Sequence, residues 1–226
     1  MRMRWLDLLF AHWPVPIKAL RSLIPSDLEV DTYDGQAWLG IVPFVMEDVG
    51  PRGLPAPPAA GAFAEVNVRT YVRRGDLAGV WFFSLDAASR LAVEGARRFF
   101  HLPYFSAAMS VVRDGDAIEY RSERRDGRGR PASLDMRYRP IDPVRFAEPG
   151  SLDAWLTDRW RVFAPDASGR VLRTEIRHAP WPLQPAEADI RVESLAAAIG
   201  IELPSVPPRL AYSARLEVRG WWPRRD

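Results

Sequence analysis

Between Phe63 and Val72 the chain alternates strictly, with Glu65, Asn67, Arg69 and Tyr71 on one side of a predicted strand and Val66, Val68, Thr70 and Val72 on the other. The next run, Gly79 to Leu85 (GVWFFSL), is apolar at odd and even positions alike, which predicts a strand covered on both faces. Upstream, Trp5 to Trp13 is apolar with few breaks. Pro14 and Pro16 then lead into a short helix carrying Ile17, Leu20, Leu23 and Ile24 at helical spacing, stopped by Pro25. Leu28 to Tyr33 and Gln36 to Val49 read as strands, and Asp34-Gly35 between them predicts a hairpin turn. Residues 50–61 (GPRGLPAPPAAG) hold four prolines, so a loop is expected there, either a lid or a surface excursion.

Asp86 is positioned to cap a helix whose apolar stripe is Ala88, Leu91, Ala92, Gly95 and Phe99, with Arg97 and Arg98 in its last turn and Pro103 ending it. Phe105 to Val112 and Ala117 to Ser122 form a second predicted hairpin across Asp114-Gly115, followed by a strand at Ala132 to Tyr138. A helix is expected from Ser151 with Leu152, Trp155, Leu156 and Trp160, a strand at Val171 to His178, a short helix at Ser194 to Ile199 and a last strand at Leu210 to Val218. Many short strands with about four flanking helices predict an α+β, mainly β domain, curled into a barrel or double sheet, with no parallel βαβ wrapping. Residues 1–226 are expected to form a single domain.

Composition narrows the chemistry. Cysteine is absent, which removes disulfides, thiolate metal sites and a cysteine nucleophile, and fits the reducing conditions of a cytoplasmic protein. The 31 basic and 29 acidic side chains leave a net charge of only +2, so no nucleic-acid partner is expected. The arginine-rich stretch Arg121 to Arg130 is read as a solvated hairpin end. The N-terminal run carries Arg2, Arg4 and Asp7 and lacks the apolar core of a signal peptide, and no membrane span is expected. His12, His101 and His178 show no metal-binding spacing, and there is no phosphate-binding loop or nucleophile elbow. No metal or cofactor is therefore expected. Lys18 is the sole lysine; it lies on the first predicted helix and reads as a solvated surface residue.

Several segments in order carry a resemblance. WLDLLFAHWPV, LRSLIPSDLEVDTYDGQAWLGIVPF, FAEVNVRTYV, GVWFFSLDAASRLAVEGARRFFHLPYF and HAPWPLQPAEA resemble the YqjF-like family nearly end to end, and more distantly acetoacetate decarboxylase. The resemblance implies a curled β-barrel or cone with a ligand cavity. It also implies that Glu65, in Phe63-Ala64-Glu65, matches an active-site glutamate. The decarboxylase forms an imine through the first of two consecutive lysines, and Tyr104 and Phe105 stand at those places here. Neither can form an imine, so that reaction is not expected.

The candidate site that follows has Glu65 as the proton-transfer residue. Arg69, Asn67, Tyr71, Tyr104, His12 and Trp81 are candidate substrate contacts, with core packing as the competing role for Tyr104, His12 and Trp81. Whether the polar face of the 63–72 strand meets a cavity or solvent stays open at this stage, as does a Glu65 to Arg69 ion pair against an Arg69 free to bind a carboxylate. His178 and Trp181 are placed to close one end. The expected function is small-molecule binding, with acid/base chemistry on a carbonyl or carboxylate compound. The alternatives are a noncatalytic ligand-binding or sensing module and a homo-oligomeric interaction protein.

Overall fold

The computed structural model describes residues 1–51 and 61–225. The expectation of a lid or surface loop falls mostly on residues 52–60, outside the described residues. The strands are β1 (Arg2–Val15), β2 (Glu29–Val30), β3 (Ala37–Gly50), β4 (Phe63–Arg74), β5 (Leu77–Ala87), β6 (Tyr104–Asp114), β7 (Ala117–Arg124), β8 (Ser133–Pro140), β9 (Arg161–Pro165), β10 (Val171–His178), β11 (Gln184–Glu193) and β12 (Arg209–Gly220). The helices are α1 (Ile17–Arg21), α2 (Arg90–Phe100), α3 (Leu152–Thr157) and α4 (Leu195–Ala198). None of them is long and apolar enough to cross a membrane.

Strand pairing closes twice, because β5 pairs with β4 and β10 pairs with β12 in addition to the linear sheet order. One ring runs β1, β3, β4, β5, β9, β10, β12 and back to β1. The other leaves β5 through β6, β7, β8 and β11 and returns at β12. The two rings share the wall β12-β1-β3-β4-β5, so residues on that wall alternate between two interiors rather than between core and water.

The second interior is filled by Leu9, Ala11, Trp13, Leu39, Ile41, Val66, Val68, Val72, Trp81, Tyr120, Met136 and their neighbours. The first keeps a cavity. β1 serves both interiors through a bulge at Asp7, where φ is 51° and the β3 pairing register breaks. Met3 and Leu8 then face the cavity, while Leu9 and Ala11 pack in the filled core.

Some sequence expectations need correction. Asp34-Gly35 does form a tight turn, with Tyr33 and Gln36 exchanging backbone hydrogen bonds, but β2 pairs with β4 and not with β3. Both edges of β3 are occupied by β1 and β4, which leaves no edge for a hairpin partner. Asp86 lies inside β5; the cap of α2 is Ser89, whose side chain accepts a hydrogen bond from the Ala92 amide. Of the predicted α2 stripe, Ala92, Gly95 and Phe99 face the first interior, whereas Leu91 is exposed and Val93, outside the stripe, is buried. A parallel crossover is present after all: β5, α2 and β6 form a βαβ unit with Leu85 opposite Tyr104. Trp160 lies beyond α3 and is exposed. β9 and β11 have no counterpart among the predicted strands.

Candidate functional site

All seven strands of the first ring contribute to a cavity of about 320 Å³, and α2 and the segment after α3 complete its wall. Its surface is largely apolar, built from Met3, Trp5, Phe44, Phe82, Phe100 and Trp181 among others. The polar face of β4 supplies the contrast. Glu65, Asn67 and Arg69 all line the cavity and are 2%, 5% and 8% exposed, so this face meets an enclosed space and not bulk solvent. Their partners across β5 follow the same phase: Ala87 opposite Glu65, Leu85 opposite Asn67 and Phe82 opposite Arg69, with Phe83 absorbed as a bulge.

Tyr104 reaches the cavity from the first residue of β6 and donates a hydrogen bond of 2.8 Å from its hydroxyl to Glu65 Oε2. Tyr120 donates at 2.7 Å to the Glu65 carbonyl oxygen and fixes the strand there. Burial is the main influence on the Glu65 carboxyl and raises its pKa to about 8; the Tyr104 hydrogen bond opposes the rise and the negative charge of Asp86 adds to it. The Tyr104 phenol is pushed well above its ordinary value, first by burial and then by Glu65. At neutral pH the pair is therefore a neutral acid beside a neutral phenol. Removing the phenol oxygen in Tyr104→Phe takes away an interaction that favours the carboxylate. The Glu65 titration followed by isotope-edited infrared spectroscopy is expected to move above about 8.

Glu65 and Arg69 form no ion pair. Four residues apart along a strand, their Cα atoms are separated by about 13 Å. The Arg69 guanidinium instead donates from Nη2 to the Leu156 carbonyl at 3.2 Å and the Tyr71 hydroxyl at 3.4 Å, beside the Phe10 ring. Tyr71 and His12 lie behind Arg69, outside the cavity lining. The Tyr71 hydroxyl donates to the Leu156 carbonyl at 2.8 Å and lies 2.6 Å from His12 Nε2. With its one proton committed to Leu156, Tyr71 accepts from His12, which places the imidazole proton on Nε2. Burial, then the charges of Arg69 and Arg209, hold the His12 pKa well below its usual range. A Cβ at Gly40 would meet the His12 ring at 2.9 Å, which accounts for glycine beside this cluster.

Trp81 is not brought to the cavity. It points from β5 into the filled core, because Val80 and Phe82 take the cavity phase. Phe105 likewise turns away from the cavity and stacks under Arg124, so of Tyr104 and Phe105 only Tyr104 faces Glu65. Arg124 itself leaves the arginine-rich turn for the interior, where it pairs with Asp86 at 2.7 Å, so that turn is not wholly solvated. His178 and Trp181 line the cavity, and Lys18 is exposed on α1. The sequence reading missed Arg159 and Thr157, which line the cavity from the end of α3. Arg159 follows a helix of six residues and precedes an unpredicted strand, so no periodicity marked it. It pairs with Asp31 at 2.7 Å and lies over the Tyr71 and Trp155 rings. Among the described residues no group of three or more His, Asp or Glu is placed to hold a metal ion.

Known proteins place this architecture. The chain is 48% identical over 221 residues to the uncharacterized protein YqjF of Bacillus subtilis (strain 168), covering 98% of this chain and 90% of that protein. Among solved structures it is similar to the enduracididine biosynthesis enzyme MppR in complex with the condensation product of pyruvate and imidazole 4-carboxaldehyde, at a TM-score of 0.67 and 11% identity over 98% of this chain and 88% of that one. It is also similar to an acetoacetate decarboxylase-like enzyme from Sphingomonas wittichii RW1, at a TM-score of 0.63 and 14% identity over 99% and 92% of the two chains. At such identities these neighbours share the fold, a large sheet curled into a ring with flanking helices. Residues 2–217 match one family throughout, and the chain belongs to DUF2071, a family of uncharacterized conserved proteins.

Proposed function

We propose that the cavity binds a small carbonyl or carboxylate compound and that Glu65 exchanges a proton with it, without an imine step. The observation that carries this reading is the Glu65 carboxyl, fully buried yet facing open cavity, with a pKa of about 8. A group that titrates so near neutrality serves as both acid and base. Its ionised form would take a proton from the carbon next to a carbonyl, the C–H electron pair becoming the enolate double bond. The resulting neutral acid would return the proton to carbon or oxygen. Tyr104 holds the carboxyl in place and limits how far burial raises its pKa. The apolar wall excludes water from the reacting carbon. The sole lysine is exposed on α1 and does not line the cavity, which supports a route without a Schiff base.

Deuterium exchange in D2O, followed by proton NMR on a panel of small ketones and keto acids, tests this reading. The parent chain is expected to accelerate exchange at the carbon next to the carbonyl, and Glu65→Gln to lower that rate at least about 100-fold while binding persists. Equal rates in both proteins would overturn the proton-transfer role and leave a noncatalytic binding module. Borohydride added to the same mixtures is expected to leave Lys18 unmodified.

A further inference from the structure

Three arginines are buried among the described residues: Arg69, Arg124 and Arg159. Two of them carry their own counter-ion, Asp86 for Arg124 and Asp31 for Arg159, each at 2.7 Å. Arg69 has none. Among the described residues no carboxylate lies within ion-pair distance of it, its two hydrogen bonds go to neutral oxygens, and its Nε is buried without a partner. Glu65, on the same strand face, is out of reach and hydrogen-bonded to Tyr104. A guanidinium removed from water without an anion is costly, and a chain that pairs its other two buried arginines leaves this one facing an open cavity.

Three further buried polar atoms of cavity-lining residues lack partners among the described residues, Trp5 Nε1, Asn67 Oδ1 and Arg159 Nη2. Asn67 sits between Arg69 and Glu65 on the strand, so its amide lies along the line joining the cation to the acid. The remaining wall is mostly methionine, aromatic and aliphatic surface, with Thr157, Thr174 and His178 as its other polar side chains. The charge count sets the ligand's charge. One uncompensated cation beside two neutralised pairs matches a monoanion, whereas a phosphate dianion would leave an excess negative charge in an apolar enclosure. The planar fork of a guanidinium fits a carboxylate. At about 320 Å³ the cavity is near the lower end of small-molecule sites.

We propose that the ligand is a monocarboxylic acid with an apolar body, its carboxylate held by Arg69 and its body lying against the methionine and aromatic wall. This rests on the reading of the cavity as a ligand site and adds the ligand's charge and polarity. The carboxylate is then anchored away from Glu65, so the group that Glu65 acts on is a different part of the same molecule.

Calorimetric titration of the full chain with octanoate and with 1-octanol tests the proposal. Octanoate is expected to bind the parent chain at least about tenfold more tightly than 1-octanol, and Arg69→Gln to abolish that preference while leaving 1-octanol binding intact. Equal affinity for both probes in the parent chain, or octanoate binding unchanged in Arg69→Gln, overturns the anchor and leaves the cavity as a ligand site. Binding of neither probe removes the ligand site and the anchor together. A readout independent of any variant is the carbon-13 signal of carboxyl-labelled octanoate bound to the parent chain. It is expected to stay ionised at pH values below the acid's free pKa, close to that of a glutamate; uptake as the neutral acid overturns the anchor.

Discussion

At pH 8 the Glu65→Gln variant is expected to resist urea better than the parent chain, by on the order of 4 kcal/mol, and below pH 4.5 the two are expected to converge. The sign follows from where the proton sits. Unfolded, Glu65 ionises near 4.5; folded, it holds its proton up to about 8. Between those values the folded state binds more protons than the unfolded one, so stability is fully present below 4.5 and falls as pH rises toward 8. Glutamine keeps the shape and still accepts from Tyr104 but carries no ionisable group. Subtracting the variant's urea midpoints from the parent's across pH isolates Glu65 from the other carboxyls. A loss of stability at high pH in exchange for a titrating acid inside a cavity is the cost expected of a functional group and not of a structural one.

The second large effect concerns the pair behind the site. Asp86→Ala is expected to lower the unfolding free energy by about 3–5 kcal/mol, because the Arg124 guanidinium is left buried and unpaired. Arg124 reaches Asp86 with both Nε and Nη2, stacks over Phe105 at 4.2 Å and is buried. Replacing both partners with leucine is expected to restore most of the loss, because it removes the uncompensated charge rather than exposing it. Urea unfolding of the single and double variants checks both statements. The single variant should also lower the Glu65 pKa, since the Asp86 charge contributes to raising it.

The parts of this architecture that were legible in the sequence are those where one strand carries a strong local signal. The period of β4 placed Glu65, Asn67 and Arg69 on one face, and Asp114-Gly115 located the turn between β6 and β7. The period could not decide between cavity and water, because alternation looks the same in a sheet with one wet face and in a wall shared by two closed rings. The apolar run of β5 hinted at that wall, yet which of Trp81 and Phe82 faced the cavity depended on the bulge at Phe83. β11 went unseen because Ala186, Ala188 and Ile190 offer little apolar contrast against their charged neighbours. The Asp34-Gly35 turn was correctly located, but its partner strand was assigned by proximity in sequence when β3 already had two neighbours. Asp86 looked like a helix cap because aspartate before an apolar helical pattern usually is one. Only the tertiary position of Arg124 reveals it as a buried counter-ion.

Titration of the Glu65 carboxyl in the unliganded parent chain tests most directly whether the cavity holds a neutral acid at physiological pH. Carbon-13 labelled glutamate followed by NMR, with Glu65→Gln to assign the signal, is expected to show Glu65 protonated at pH 6 and half-ionised near 8. A carboxyl already ionised at pH 6 would contradict a desolvated, proton-carrying Glu65 and with it the acid/base role proposed for the cavity.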